Sequence, residues 1–356
     1  MPRTSPTRPA SRQPSSSCQG AFGRLARVTM AGNRAMRGSL IAQSESMRRV
    51  LRLAGVYASS EFPVLLTGET GTGKTLLAQW IHKNSPRADK TFEVRNCAAF
   101  SETLALSELF GHERGAFTGA DRSRVGAFRK AHGGTLFLDE VSRMFPVVQG
   151  AILKAIDEGT IQPVGSDRAE QVDVRLIAAT NQDLWALAEQ GRFAFDLFQR
   201  LAVLTISLPP LRDRQDDLLP LAQGFLYAEA PRGKICRLAD EALTALCAHH
   251  FPGNVRELEA VMEECRLIAA AEVGEAVGEL IISADVVSNV LSRRSHRQAG
   301  SPQTISDMQK QFRQEALKKA LDRHGGKITA VAADLGVSRQ TVSKWMRQMG
   351  LAAEGK

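Results

Sequence analysis

A glycine-rich segment at residues 68–75 fits the pattern G-x-x-x-x-G-K-S/T at every position. It follows the apolar run Val64–Leu66 and leads into the helical run Thr75–His82, and this strand–loop–helix context supports the match. The glycines let backbone N–H groups turn inward around phosphate oxygens, and the start of the helix adds partial positive charge. We therefore predict a site for nucleotide phosphates, with Lys74 at the β- and γ-phosphates and Thr75 on Mg²⁺. The residues of this predicted site are Gly68, Glu69, Thr70, Gly71, Thr72, Gly73, Lys74 and Thr75.

An acidic pair follows the apolar run Thr135–Leu138. A Mg²⁺–nucleotide site needs a carboxylate at the end of a neighbouring strand, and Asp139 is predicted to supply it. Glu140 suits the general base that polarises an attacking water molecule. The pair predicts ATP hydrolysis, and at this point a kinase or a metabolic phosphate-loop enzyme remains open.

Short apolar runs alternate with helical stretches from residue 39 to about 214. Five strands are predicted, at Val64–Leu66, Phe92–Arg95, Thr135–Leu138, Val172–Ala179 and Val203–Leu208. Strands that alternate with helices indicate an α/β fold whose parallel sheet is covered on both faces.

The region after this core, residues 215–292, shows helical periodicity and no strand-like run, and it includes a predicted helix from about Val255 to Ala270. Residues 293–303 are interpreted as a linker.

Charge is distributed unevenly along the 356 residues, whose formal net charge is +8. Residues 1–44 contain seven arginines and no acidic residue, residues 293–297 add three arginines, and residues 303–349 carry a net +5. A net charge of about −7 is left for residues 45–292, so the chain has an acidic body with basic ends, and nucleic acid is expected at the ends.

The five cysteines are scattered without a CxxC pair, which indicates reduced thiols rather than a zinc site. The sequence has no run of about 18 apolar residues that would predict a transmembrane helix.

The first 38 residues are rich in Ser, Pro, Arg and Gly, and we interpret them as a disordered basic tail. Their acid-free, Arg- and Ser-rich composition also resembles an organellar transit peptide. A third interpretation places the true start of the protein at Met30 or Met36.

The C-terminal segment 304–351 has apolar spacing that fits three short helices. The predicted buried faces include Ala320, Leu321, Ile328, Val331, Ala332, Val342 and Met346. Gly336 provides a tight turn, and Ser338 is a plausible N-cap for the third helix. The outer face of that helix carries Arg339, Gln340, Thr341, Ser343, Lys344 and Arg347. A polar, basic recognition helix of this kind suits the major groove of DNA and predicts a helix-turn-helix domain.

Residues 115–120 read Gly-Ala-Phe-Thr-Gly-Ala, which is the GAFTGA signature of bacterial enhancer-binding proteins, the AAA+ activators of sigma-54 RNA polymerase. The chain resembles this family from about residue 39 to 292. Further matching motifs occur in the family's order at Asn96–Ala99, Gly133–Glu140, Ala178–Asn181, Leu208–Arg212 and Pro252–Leu258. The C-terminal segment resembles the Fis-type domain that ends many of these activators. The resemblance implies an AAA+ ATPase core at 39–214, a helical lid at 215–292 and a DNA-binding domain at 304–351.

The GAFTGA segment contains no charge, and its glycines flank an aromatic and a hydroxyl side chain. This pattern predicts a flexible loop that exposes Phe117 to a protein partner. The resemblance implies that the loop contacts sigma-54 when the nucleotide state changes, through Gly115, Ala116, Phe117, Thr118, Gly119 and Ala120. Residues Val164–Glu170 resemble a second surface loop that moves with the first.

The resemblance also implies a homo-oligomeric ring, typically a hexamer that is dimeric when inactive, with ATP between subunits. Arg200 matches the arginine finger that a neighbouring subunit supplies, and its planar guanidinium suits the charge that spreads over the γ-phosphate. Asn181 matches the polar γ-phosphate sensor, and Arg256 matches the sensor arginine of the lid. Asn96 resembles the residue that holds the catalytic glutamate away until activation, and Ala194 replaces a second arginine of the family.

Together these features predict an ATP-driven transcription activator of the bacterial cytoplasm, with no membrane partner. It would use ATP and Mg²⁺, bind enhancer DNA and convert the closed complex of sigma-54 RNA polymerase into the open complex. The alternative is a DNA-binding regulator or repressor that has lost its ATPase output. Degenerate relatives of that kind lack the GAFTGA segment, whereas this chain keeps it whole.

Overall fold

The computed structural model describes residues 40–228, 235–273 and 279–299, and, toward the C-terminus, residues 320–321, 323–324, 328–334, 337, 339, 342 and 346. The tail predicted at 1–38 therefore lies outside the described residues. The chain divides into two compact units, Met1–Val290 and Leu291–Lys356.

The strands of the described part are, in chain order, β1 (Val64–Thr67), β2 (Phe92–Asn96), β3 (Gly111–His112), β4 (Arg124–Val125), β5 (Thr135–Asp139), β6 (Thr160–Ile161), β7 (Glu170–Gln171), β8 (Arg175–Thr180), β9 (Leu204–Ser207), β10 (Ile235–Leu238) and β11 (Glu279–Ile282). Five of them form one parallel sheet in the order β2-β5-β8-β1-β9. The predicted five-stranded parallel sheet is confirmed.

The helices are α1 (Glu45–Ala58), α2 (Lys74–Lys83), α3 (Glu102–Phe110), α4 (Ala127–Lys130), α5 (Pro146–Glu158), α6 (Leu184–Glu189), α7 (Phe195–Leu201), α8 (Leu218–Ala228), α9 (Asp240–Cys247), α10 (Asn254–Val273), α11 (Ala284–Ala299) and α12 (Ile328–Asp334). Helix α1 illustrates why they form where they do. Its N-cap Ser44 accepts a hydrogen bond from the Met47 N–H, and its buried residues recur at helical spacing.

Both faces of the central sheet are covered by apolar side chains. Leu136 and Leu138 of β5 point into one buried cluster, whereas Phe137 between them packs in a second cluster with Leu66 of β1. Each of these side chains is fully buried. Burial of a Leu or Phe side chain contributes about 1.5–3 kcal/mol, so the two clusters hold the carboxyl edge of the sheet in place.

The order of the strands corrects one expectation. β5, which ends in Asp139, is not the neighbour of β1, because β8 lies between them. The pattern of apolar runs gives the number of strands but not the crossover that inserts the later strand. The same arrangement places Asn181, at the end of β8, between the phosphate loop and the acidic pair.

The fourth strand is also shorter than predicted, since β8 begins at Arg175 rather than at Val172. The backbone of Asp173 is already used by a turn. Its carbonyl accepts a hydrogen bond from Gly133 N–H at 2.7 Å, and its own N–H donates to the His132 ring.

The region after the core contains two strands that the sequence analysis missed. β10 and β11 pair in parallel, with Cys236 opposite Leu280. The expectation of a region without strands was wrong, because Arg237 interrupts the apolar residues of β10 and the two strands are stabilised by pairing with each other. The helix predicted at about Val255–Ala270 is confirmed as α10. Helix α11 runs through residues 293–299, so that part of the predicted linker is helical.

Two small antiparallel ribbons project from the core unit. One pairs β3 with β4 and flanks residues 113–123, and the other pairs β6 with β7 and flanks residues 162–169. Each ribbon therefore forms the base of one of the two predicted surface loops.

The described residues of the C-terminal unit form one small apolar cluster. Its members are Ala320, Val331, Ala332, Val342 and Met346, with Leu321, Ile328 and Val337 packed against it. These positions include the inward-facing residues that the helical spacing predicted there. Within the described residues, no helix combines the length and apolar character needed to cross a membrane.

Candidate nucleotide site and surface loops

The phosphate loop leaves the N-terminus of α2 free of any side-chain cap. Gly73, the N-cap residue, has φ 106°, a left-handed conformation that glycine adopts without strain, and it has no side chain to cap the helix. Lys74 is only 6% exposed, and its Nζ donates to the carbonyl oxygens of Gly68 at 2.8 Å and Glu69 at 3.1 Å. The loop thus curls around the ammonium group.

The acidic pair acts on the same lysine. Burial lowers the pKa of Lys74, and the nearby carboxylates of Glu140 and Asp139 oppose that shift, while Arg256 adds to it. Lys74 of the phosphate loop, Asp139 and Glu140 at the end of β5, and Arg256 at the start of α10 are therefore close enough to interact electrostatically. This group can hold a polyphosphate and a divalent cation at one edge of the sheet.

Glu140 follows β5 in an unusual backbone conformation. Its φ is 55°, in the left-handed region that costs a non-glycine residue about 1–3 kcal/mol and that often occurs at functional sites. Its N–H donates to Asp139 Oδ1 at 3.0 Å. Glu140 and Asp139 are both half-buried, and the role of Glu140 as general base stays a prediction.

Asn96 lies opposite Asp139 in the register of β2 and β5. Its Oδ1 accepts the Ala98 N–H at 2.9 Å. Both Asn96 and Glu140 belong to the described part, and no hydrogen bond joins them there. The restraining role that the resemblance implies for Asn96 stays a prediction.

The two residues predicted to act as sensors lie close to the phosphate loop. Asn181 Nδ2 donates to Thr70 Oγ1 at 3.1 Å, so the end of β8 contacts the loop directly. Arg256 is exposed on the first turn of α10. Both can reach a ligand held by the loop.

Arg200 stands apart from this group. It lies in the last turn of α7, is exposed, and its Nε pairs with Asp157 at 2.8 Å. Ala194 caps the same helix, and its N–H donates to Gln149 Oε1 at 2.7 Å. The role of Arg200 as an arginine finger stays a prediction.

The GAFTGA loop is folded on itself. Gly115 and Gly119 have φ of 80° and 95°, and the Gly115 N–H donates to the Ala120 carbonyl at 2.9 Å. Thr118 is exposed. Phe117 is not: it is half-buried, with its ring edge-on to the His112 ring at 4.9 Å. The expected exposure of Phe117 was wrong, because β3 supplies an aromatic partner.

The second loop lies directly against the first. Glu113 N–H donates to the Val164 carbonyl at 3.0 Å, and Val164 N–H donates to the Gly111 carbonyl at 3.0 Å. A Cβ added to Gly165 would lie 2.7 Å from the Ala116 Cβ. The two loops are therefore in direct contact, and their predicted joint movement stays a prediction.

The sequence analysis quoted two motifs without giving a role to Arg212 or Asn254. Arg212 forms a two-pronged pair with the Glu69 carboxylate, at 2.6 and 2.9 Å, and Asn254 Nδ2 donates to Glu69 at 3.1 Å. It also missed His112, whose ring contacts Ser107 Oγ at 2.6 Å and the Arg122 carbonyl at 2.9 Å. The available signal was that Arg212 and Asn254 lie within the matched motifs Leu208–Arg212 and Pro252–Leu258.

Among the predicted DNA contacts, Arg339 is helical and exposed. Gln340, Thr341, Ser343, Lys344 and Arg347 lie outside the described residues. Val342 and Met346, on the opposite face of the predicted helix, are buried.

Comparison with known proteins matches successive parts of the chain to three families. Residues 40–207 match the sigma-54 interaction domain, residues 212–303 the AAA+ ATPase lid domain, and residues 310–349 the bacterial regulatory protein, Fis family. The transcriptional regulatory protein ZraR of Klebsiella oxytoca is 40% identical over 324 residues, which is 90% of this chain and 71% of ZraR.

Two further proteins agree with this assignment. The anaerobic nitric oxide reductase transcription regulator NorR of Vibrio vulnificus is 37% identical over 92% of this chain and 66% of its own length. The crystal structure of NtrX from Brucella abortus in complex with ATP is 28% identical, with a TM-score of 0.64 over 90% of this chain and 70% of NtrX.

One assignment follows from the phosphate loop, the acidic pair, the GAFTGA loop and these relatives. This chain belongs to the sigma-54-dependent transcriptional activators, with an AAA+ core and lid and a Fis-type helix-turn-helix domain.

Proposed function

We propose that this protein hydrolyses ATP to remodel sigma-54 RNA polymerase from the closed to the open promoter complex. The observation that carries the proposal is the contact between the GAFTGA loop and the second loop, on the same domain as the phosphate loop. The protein acts while bound to enhancer DNA in the bacterial cytoplasm, where the polymerase and the chromosome lie.

The nucleotide is ATP, held by Gly68–Thr75. The donor set fits Mg²⁺, because the Thr75 hydroxyl and the Asp139 carboxylate are hard oxygen ligands close to the buried Lys74. When bound, Mg²⁺ would neutralise phosphate charge. The Glu140 carboxylate accepts a proton from the attacking water, and the Asn181 amide orients the γ-phosphate or that water.

The functional assembly is a homo-oligomeric ring, a hexamer that forms from dimers. Arg200 acts in the site of the neighbouring subunit, where it neutralises charge on the γ-phosphate. Two observations support this role: its guanidinium is exposed, and within its own subunit it pairs with Asp157 rather than with the acidic pair.

Each surface loop is linked to the nucleotide edge of the sheet by a short path along the chain. The strand β2 ends at Asn96, and α3 then leads to the ribbon under the GAFTGA loop. The second loop leads through β7 into β8, which ends beside Asn181. A change at the γ-phosphate can thus shift both loops, and Thr118 and Phe117 then engage sigma-54.

The DNA-binding domain positions the ring near the promoter. Arg339, Gln340, Thr341, Ser343, Lys344 and Arg347 are the proposed contacts to DNA, with base edges reached from the start of the helix.

The test compares phosphate release and promoter melting by the full-length protein, with and without enhancer DNA. The proposal expects ATP-dependent melting at a sigma-54 promoter, and faster turnover when enhancer DNA promotes assembly. ATP turnover without any melting would instead favour the regulator that has lost its output.

A further inference from the structure

The outer side of the phosphate loop is bonded to the start of the lid. We call the segments Leu211–Arg214 and Gly253–Val255 the junction. Four consecutive loop residues, Glu69 to Thr72, each accept a hydrogen bond from the junction.

The Glu69 carboxylate is held by two junction side chains. Arg212 Nη2 donates to Oε1 at 2.6 Å and Nη1 to Oε2 at 2.9 Å, and Asn254 Nδ2 donates to Oε2 at 3.1 Å. A two-pronged pair of this kind fixes orientation as well as distance. The carboxylate of Glu69 therefore links the loop to the junction.

Asn254 joins three segments at once. It is fully buried, has φ 55°, and its Oδ1 accepts the Leu211 N–H at 2.8 Å. Its Nδ2 also donates to the Thr70 carbonyl at 3.1 Å. Close approach is required here, since a Cβ on Gly71 would lie 2.2 Å from the Gly253 carbonyl oxygen.

Two more carbonyls of the loop are fixed in the same way. The Gly71 carbonyl accepts the Val255 N–H at 3.0 Å, and the Thr72 carbonyl accepts Arg214 Nη2 at 2.7 Å. Arg214 is itself 3% exposed. Burial lowers the pKa of its guanidinium, and the charge of buried Asp217 opposes that shift.

These bonds determine where the amide groups of the loop point. In a planar trans peptide the C=O of one residue and the N–H of the next point in opposite directions. The Thr72 N–H donates to the Glu69 carbonyl at 3.4 Å. Because the junction holds the carbonyls of Thr70 and Thr72, the N–H groups of Gly71 and Gly73 point away from the junction. That is the orientation that a phosphate cradle needs.

We propose that Arg212 and Asn254 are positioning residues for nucleotide binding, which hold the amide groups of the phosphate loop in place through Glu69 and Thr70. The inference deepens the proposed ATPase function and rests on it. Since the same bonds attach the loop to the first turn of α10, they also hold Arg256 toward the nucleotide site.

The hydrogen bonds from Arg212, the larger cause, and from Asn254 lower the pKa of Glu69 from 4.5 to about 2. A lowered pKa means that the contribution of this carboxylate is complete above about pH 4.5 and is lost as pH falls through about 2. The effect of breaking the pair should therefore be the same at pH 6 and pH 8.

The experiment measures steady-state phosphate release and the binding of a fluorescent ADP analogue to the full-length protein. Because Arg212 and Glu69 are 41% and 42% exposed, the pair is screened by water. Arg212→Ala should raise the KM for ATP and the Kd for the analogue by about three- to tenfold, with kcat changed by less than about twofold.

Three further variants make the test specific to these bonds. Asn254→Asp keeps the shape of the side chain but places a carboxylate against Glu69 and the Thr70 carbonyl. Because these groups repel one another, the KM for ATP should be higher than in the wild-type protein. Arg212→Lys keeps the charge without the fork and should lie between wild type and Arg212→Ala. Combining Glu69→Gln with Arg212→Ala should add little to the single effect, because both remove one interaction.

The matched control is Arg52→Ala, which removes an exposed ion pair with Glu45 at 2.7 Å on α1 and should leave KM unchanged. Unchanged KM and Kd in both Arg212→Ala and Asn254→Asp would overturn the inference, as would a fall in kcat alone, which indicates a smaller folded fraction. If Arg212→Ala does not fold, Arg212→Lys and Asn254→Asp decide the question. A wild-type protein that binds the analogue without hydrolysing ATP would contradict the proposed function, while the Kd values still test the positioning role.

Discussion

Gly165 of the second loop packs against Ala116 of the GAFTGA loop so closely that a Cβ on the glycine would lie 2.7 Å from the Ala116 Cβ. Gly165 also has φ 79°, which side-chain-bearing residues adopt at a cost. The contact couples a loop with a proposed output role to one that leads into the sensor strand β8.

Gly165→Ala should separate the two loops and reduce promoter melting several-fold, while ATP turnover is largely kept. The backbone strain alone should cost about 1–2 kcal/mol of stability. Gly159→Ala is the matched control, since Gly159 has φ 64° and its added Cβ meets nothing closer than 3.5 Å. If both variants melt the promoter equally well, the contact has no part in output.

Glu140→Gln should retain ATP but hydrolyse it about 10²–10⁴-fold more slowly, because a positioned general base contributes that much. Lys74→Ala should instead lose nucleotide affinity, since the buried ammonium is removed from the loop. Phosphate release and nucleotide binding by the purified variants separate the two effects. Near-normal turnover by Glu140→Gln would show that its assigned role is wrong.

Arg200→Ala should bind ATP and hydrolyse it poorly, since an arginine finger contributes about 10³–10⁵-fold. If the finger acts across subunits, a mixture with Lys74→Ala should recover some turnover. Asp157→Ala is the control, because it removes the same ion pair but leaves the guanidinium. No recovery at any ratio, with assembly intact, would indicate a site contained in one subunit.

Arg339→Ala should weaken specific DNA binding by about 1–3 kcal/mol and relax sequence preference, as expected for a base contact. Arg323→Ala is the matched exposed variant, since its Nη1 is paired with Asp334 at 3.2 Å. The measurement compares affinity for an enhancer sequence, identified by selection, with affinity for random DNA. Equal weakening on both DNAs by Arg339→Ala would assign it to the phosphate backbone.

The sequence predicted the elements whose signals are local. The glycine pattern at 68–75 and the apolar run before Asp139 are each continuous in the chain, and both occupy the predicted places. The helix from residue 254 was predicted because its apolar period is long. Signals of this kind survive in a single sequence.

What could not be predicted depends on contacts between distant segments. The bonds that Arg212 and Asn254 make to Glu69 span more than 140 residues, and the partner of Phe117 is a histidine in a two-residue strand. Strands as short as β3, β6 and β10 are stabilised by their tertiary contacts rather than by their own propensity. Part of the linker predicted at 293–303 is helical up to Ala299, in keeping with the good helix propensity of Arg and Gln.

The central claim is that the GAFTGA loop delivers the output of the ATPase without taking part in hydrolysis. Thr118 and Phe117 belong to a loop that supplies no base or phosphate ligand, so Thr118→Ala and Phe117→Ala should keep most ATP turnover and DNA binding. Thr103→Ala, an exposed threonine on α3, is the matched control and should behave as wild type.

The most direct measurement is a parallel assay of phosphate release and promoter melting for these three variants. The account predicts that Thr118→Ala and Phe117→Ala lose open-complex formation, and the sigma-54 binding seen with a transition-state analogue of ATP, while phosphate release continues. A proportional loss of both activities would make the loop part of the ATPase itself, and normal melting would contradict its role in output.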